Sequence, residues 1–161
     1  MVPRSQELQD DGLLNCKAIY IRITNLPNKR INGLSKMVDL IYKDLSYVIN
    51  GIAFKIDNEI GYGFDEKIYA DAFEELLKKG KLKYQREVYS PVKVDNKVIA
   101  RRFIDFIIED KIVVELKQGI NKYRKVCDQL FQYLRINKLK LGIVIRFTKN
   151  GVKIKRIPNF Y

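Results

Sequence analysis

The sequence predicts an α/β domain: a mixed β-sheet with helices on both faces. Three observations carry that expectation. Two stretches with helical spacing of apolar residues come first, a run of period-two segments follows, and a third helical stretch separates those segments from two final strands. Chains ordered this way form an antiparallel meander joined by a helical crossover to further strands. At 161 residues the chain suffices for one domain with a sizeable core.

Residues 1–36 differ in character from the rest and are expected to be an extension, with Ala18–Ile23 as a candidate strand before the turn-rich Asn25–Gly33. Met37 is the expected start of the domain, which spans 37–161. From Asp39 to about Glu59, Leu40, Ile41, Leu45, Val48, Ile49, Ile52, Ala53 and Ile56 recur at helical spacing, and Gly61-Tyr62-Gly63 ends the run. A second helix is expected over Phe64–Lys79, with Ile68, Tyr69, Ala72, Phe73, Leu76 and Leu77 as its buried stripe and Gly80 as its stop. The period then changes to two. Tyr84–Val94 reads as a strand, Asp95-Asn96 as a turn, and Val98–Ile108 as a longer strand. Glu109-Asp110-Lys111 connects tightly into Ile112–Lys117. A third helix is expected over Lys122–Ile136, turning Val126, Cys127, Leu130, Phe131 and Leu134 inward. Leu141–Phe147 and Val152–Ile157 complete the strands, joined through Asn150-Gly151.

The charge balance narrows the partner. Lys and Arg number 31 against 19 Asp and Glu, a net charge of +12. Such a surplus concentrates polyanions, and nucleic acid is the commonest. A solvated, Lys-rich surface gives the same count, so charge sets a partner class without bearing on catalysis. No apolar run approaches the roughly 20 residues of a membrane span, and no signal peptide is visible.

There is no His, and the two cysteines, Cys16 and Cys127, form no CxxC pair. Ser-His and Cys-His nucleophilic chemistry, His-ligated zinc and a four-Cys cluster are thereby excluded. A disulfide scaffold is disfavoured too, and a cytoplasmic setting fits best. Hydrolytic chemistry must run on carboxylates, Lys, Tyr and a hard metal ion.

Two apolar strands each carry an acid. Asp105 lies in Phe103-Ile104-Asp105-Phe106-Ile107-Ile108 and Glu115 in Ile112-Val113-Val114-Glu115-Leu116-Lys117. A carboxylate in such a run costs several kcal/mol unless it is paired or binds a metal. A three-residue loop at 109–111 puts Ile108 against Ile112 and Asp105 opposite Glu115. Like charges so opposed repel, which favours a cation between them. Lys117, two residues after Glu115, leaves the same strand face. Two carboxylates and an ammonium make a hard-oxygen site for Mg²⁺ or Mn²⁺, to which the Leu116 carbonyl could add a ligand. An ordinary salt bridge, Lys117–Asp105 or Arg102–Glu115, is the competing account of the same residues.

Asp105 followed by Glu115-Leu116-Lys117 resembles the PD-(D/E)xK signature of restriction-endonuclease-like proteins. More specifically, Gly61-Tyr62-Gly63-Phe64-Asp65-Glu66-Lys67-Ile68-Tyr69 resembles the motif of the GxxExxY family, and the likeness continues through Arg102–Asp105, Val113–Lys117 and Gln129–Tyr133. The sequence departs from the family pattern at Asp57, where His is expected, and at Ile145-Arg146-Phe147-Thr148, where Asn and Gly are more usual.

The resemblance implies a nuclease-like fold and a metal-dependent phosphodiesterase acting on nucleic acid, DNA by default. It makes Glu66 a third acid at the metal, with Asp105 and Glu115; by itself Glu66 would only complement the dipole of the second helix. Gln129 and Tyr133, four apart on one helix face, match a Q-x-x-x-Y element. Gln129 is then expected to orient Lys117 or a phosphate, and Tyr133 to contact the strand being cut. Lys122 and Lys125 share the side leading to Gln129 and suit phosphate contacts. The alternative is a catalytically silent nucleic-acid-binding module of the same fold. A homodimer is compatible with either, and no membrane partner is implied.

Overall fold

A computed structural model of the chain describes residues 41–119 and 123–160. The expectations for residues 1–36, for the helix start at Asp39 and for Lys122 lie outside the described residues.

Helix α1 spans Lys43–Ile60 and buries Ile49, Ile52, Ala53 and Ile56 on one stripe. It stops at Gly61, whose φ of 69° would strain a side chain and whose N–H donates to the Asp57 carbonyl at 2.9 Å. Helix α2 spans Glu66–Lys79 and buries Tyr69, Phe73 and Leu77, spaced four apart. Its end differs from expectation. Gly80 keeps a right-handed conformation, and Lys81 takes the left-handed one at φ 52°. The Leu82 and Lys81 amides then close on the carbonyls of Leu77 and Lys78, a Schellman-type ending.

The strands are β1 (Tyr84–Tyr89), β2 (Val92–Val94), β3 (Lys97–Ala100), β4 (Phe103–Ile108), β5 (Ile112–Gln118), β6 (Leu141–Thr148) and β7 (Gly151–Pro158), with α3 (Tyr123–Ile136) between β5 and β6. Five form one sheet in the order β1-β4-β5-β6-β7. Only β5 and β6 run parallel, and α3 is the crossover between them. Helices α1 and α2 pack with Phe106, Ile108, Val114, Leu116, Ile143, Ile145 and Phe147 on one face. Helix α3 packs Leu130, Tyr133 and Leu134 with Ile104, Val113, Val144 and Ile157 on the other. The chain is therefore the expected mixed sheet between helical layers. On the α3 side the layers meet closely: a Cβ built on Gly142 would come within 2.8 Å of the Leu130 side chain.

The long hairpin of the expectation is broken. Tyr84–Val94 and Val98–Ile108 each split, and β2 and β3 form their own two-stranded sheet. Pro91, without an amide, cannot continue the ladder; the last bond before the break runs from the Ser90 amide to the Arg102 carbonyl at 2.8 Å. Asp95 and Asn96, at φ 47° and 65°, turn the ribbon in the type I′ manner.

Two irregularities meet at one row. The β1–β4 ladder runs Arg86↔Phe106 and then Val88↔Ile104, skipping Glu87 and Asp105. Glu87 has φ 51°, a conformation costing about 1–2 kcal/mol for an L-residue. Across it the faces exchange: Tyr84 packs on the α1–α2 side and Val88 on the α3 side. On the other flank, the β4–β5 ladder holds Ile108↔Ile112, Ile107↔Val113 and Phe106↔Val114 and goes no further. Asp105 thus sits where β4 loses regular pairing on both sides.

Candidate active site

The register on which the site depends is the expected one. Ile108 faces Ile112, and extending the ladder one step would oppose Asp105 to Glu115. The strands part there instead, and a side chain replaces the missing ladder bond: the Leu116 amide donates to Asp105 Oδ2 at 2.7 Å. One Asp105 oxygen therefore ties β4 to β5.

Glu115 and Lys117 leave β5 on the α3 side, on the same parity as the buried Val113. The Lys117 ammonium lies 2.6 Å from Glu66 Oε1, 3.5 Å from Glu115 Oε2 and 3.7 Å from Asp105 Oδ2. The competing Lys117–Asp105 salt bridge is thus present, but within a cluster of three acids. Glu66 joins across a long sequence separation and meets Lys117 directly. Among the described residues, no three acidic or thiol side chains converge as a ready-made metal cage; the ammonium occupies the middle of the group.

What brings Glu66 there is the loop before α2. Tyr69 is fully buried, and its ring stacks on Phe147 with centroids 4.1 Å apart. Its hydroxyl donates to the Gly61 carbonyl at 2.8 Å and accepts from the amides of Gly63 and Phe64 at 3.1 and 3.4 Å. Gly63, at φ 121°, adopts a conformation closed to other residues. Gly63, Glu66 and Tyr69 therefore act as a unit: the glycine lets the loop fold over the tyrosine hydroxyl, and the helix begins with the glutamate meeting Lys117 on the central strand β5. From the other end, Arg86 on β1 grips α2 through Asp71 and Glu74, both at 2.6 Å.

The electrostatics follow from burial and crowding. Burial and the neighbouring Asp105 charge push the Glu115 carboxyl up to about 8, against the pull of Lys117. Burial raises Asp105 too, opposed by Lys117 and the Leu116 amide. Burial alone would lower Lys117, but Asp105, Glu66 and Glu115 outweigh it and hold the ammonium above the ordinary lysine value. Three carboxylates face one ammonium, and the uncompensated negative charge adds to burial in favouring the protonated form of Glu115.

A cleft of about 350 Å³ opens on this cluster, with Asp105, Glu115, Lys117, Gln129 and Tyr133 in its wall. Gln129 and Tyr133 thus line the same cleft as Asp105, Glu115 and Lys117. Tyr133 is 8% exposed and so presents an edge rather than a free ring. A smaller recess of about 180 Å³ lies between Glu66, Arg86, Glu87 and Asp105. Lys125 is exposed on α3 and does not line either space. Sequence reasoning passed over the Tyr69 hydroxyl, for which the flanking glycines were the signal. Arg102, the other partner offered for Glu115, lines the larger cleft, and the ion pair that Glu115 makes is with Lys117.

A mixed sheet whose acids lie where two neighbouring strands separate, with a lysine on the same strand, defines a restriction-endonuclease-like fold. Residues 43–157 match the PD-(D/E)XK nuclease superfamily, and the chain belongs to it. The crystal structure of SSO0001 resembles it over 89% of this chain and 74% of its own, at 20% identity and a TM-score of 0.46. No curated protein matches the chain.

Proposed function

We propose that the protein is a divalent-metal-dependent nuclease that hydrolyses phosphodiester bonds in DNA, of the GxxExxY branch by its Gly63, Glu66 and Tyr69. The observation that carries this reading is the convergence of Asp105, Glu115 and Glu66 on one ammonium, 2.6–3.7 Å from it, beside a cleft that Asp105, Glu115 and Lys117 line. The domain is taken to begin near Met37, with 1–36 as an extension, and to work in the cytoplasm; among the described residues no helix is long and apolar enough to cross a membrane.

The donor set suits Mg²⁺ or Mn²⁺. All the candidate ligands are hard oxygens, and the two inner carboxyls are driven toward protonation when only Lys117 balances them. Asp105 and Glu115 would hold the ion, with Glu66 as the third acid. When bound, the ion supplies Lewis acidity and offsets charge developing on the phosphate.

The remaining work falls to the chain. Lys117, held protonated by its neighbours, is not a base in this state; its ammonium donates to a non-bridging phosphate oxygen and stabilises the extra charge of the transition state. Gln129 orients Lys117 or the phosphate from the cleft wall. Tyr133 borders the path of the cut strand, and Lys122 and Lys125 draw the backbone toward α3.

The test is cleavage of single-stranded, duplex and branched DNA, with RNA as a further arm, in Mg²⁺, Mn²⁺ or EDTA. Cleavage should need the metal. It should fall by about 10²–10³ or more in Lys117→Ala, the scale of losing one charge-stabilising donor, while binding persists. One observation favours a second reading, a binding module without turnover: Glu66 already engages Lys117 at 2.6 Å. Wild-type protein that binds nucleic acid yet cleaves nothing in any metal would establish that reading instead.

A further inference from the structure

Arg146 stands next to Lys117, in register with it across the parallel β5–β6 ladder. Adjacent cations on one sheet face repel unless an anion lies between them. The two are satisfied differently. Lys117 reaches three carboxylates, whereas Arg146 makes no ion pair among the described residues. Its guanidinium carbon lies 3.8 Å from the ring centroid of Tyr123, the first residue of α3, and its buried Nε has no hydrogen-bond partner. An arginine cannot shed its charge and carries five donors in a fixed fork, so the stack fixes the plane of the fork and leaves donor capacity unused.

The surroundings intensify the demand for an anion. The first turn of α3 has no acid and carries Arg124 and Lys125 at the positive pole of the helix. We propose that Arg146 binds the substrate backbone, contacting the phosphate that adjoins the one served by Lys117, with Tyr123 as the platform that sets its plane. This rests on the nuclease reading for the identity of the anion.

The test measures fluorescence anisotropy of a labelled single-stranded oligonucleotide in EDTA, over a series of salt concentrations, with wild type, Arg146→Lys and Arg146→Gln. Arg146→Gln should bind about tenfold more weakly, the size of one charge-assisted hydrogen bond. Its slope of log K against log salt should fall by about 0.7, one phosphate contact on a single strand. Arg146→Lys should keep the slope and melt like wild type, while losing part of the affinity with the bidentate fork. Unchanged affinity and slope in Arg146→Gln overturn the proposal without touching the nuclease reading. Weaker binding with an unchanged slope assigns Arg146 a folding role and overturns it equally. The expected slope change in a protein that never cleaves keeps Arg146 and sinks only the nuclease reading, and a wild type that binds no nucleic acid sinks both.

Discussion

Glu115 offers a direct test of whether the acid cluster is kept at the expense of stability. Glu115→Gln preserves the shape of the side chain and removes its ionisation. The folded carboxyl titrates at about 8 against 4.5 for the free group. Between those values the folded chain holds a proton that the unfolded chain has released. Its stabilising contribution is therefore complete below pH 4.5 and disappears as pH rises through 8. The gap of about 3.5 pKa corresponds to ~5 kcal/mol at about 1.36 kcal/mol per unit. Water reaches this cluster, since the Asp105 and Lys117 side chains are 27% and 26% exposed; relaxation and hydration then reduce the figure to ~2–3 kcal/mol. Urea denaturation in EDTA at pH 5, 7 and 8.5 reads it out. Wild type and variant should agree at pH 5, and the variant should be the more stable by that amount at pH 8.5. Mg²⁺ should then raise the wild type and leave the variant unmoved. Parallel stability curves across the range, or a variant weaker than wild type at pH 8.5 without metal, would refute the argument.

Two further outcomes follow from the packing. Tyr69→Phe keeps the ring on Phe147 and deletes the hydroxyl that holds Gly61, Gly63 and Phe64; it should cost ~1–2 kcal/mol in denaturation midpoint and lower kcat more than it raises KM, because Glu66 loses its fixed approach. A Tyr69→Phe protein with unchanged kcat would separate the loop from the chemistry. Gly142→Ala drives a methyl to 2.8 Å from Leu130; it should destabilise by ~1–3 kcal/mol and weaken substrate binding, since α3 carries Gln129 and Tyr133, and an unaffected melting temperature would show that α3 yields freely.

Much of this was legible because strands and helices advertise different periods. The alternation in β4 and β5 and the short loop at 109–111 together set the register from Ile108↔Ile112 to Phe106↔Val114, whereas the parting of the strands at Asp105 and Glu115 had no signal in the spacing. Pro91 is equally readable as a break, and the strand expected over Tyr84–Val94 runs through it. Other features had no local signature. Nothing in Gln85-Arg86-Glu87-Val88 marks Glu87 for a left-handed backbone, because the row is disrupted by what Asp105 does one strand away. Glu66 was expected as a third acid with the other two, and the contact that ties it to them is Lys117, a partner 51 positions along the chain. Contacts of that kind are decided by how α2 is braced, through Arg86 and Tyr69, and not by the residues near the glutamate.

Among the described residues the β2–β3 ribbon forms a sheet of its own, while its base at Ser90 and Arg102 borders the cleft. Lengthening, shortening or recoding that hairpin would change what stands at the mouth of the cleft without disturbing one rung of the five-stranded sheet. What reaches the cleft can therefore be altered at this appendage while the acid cluster stays as it is.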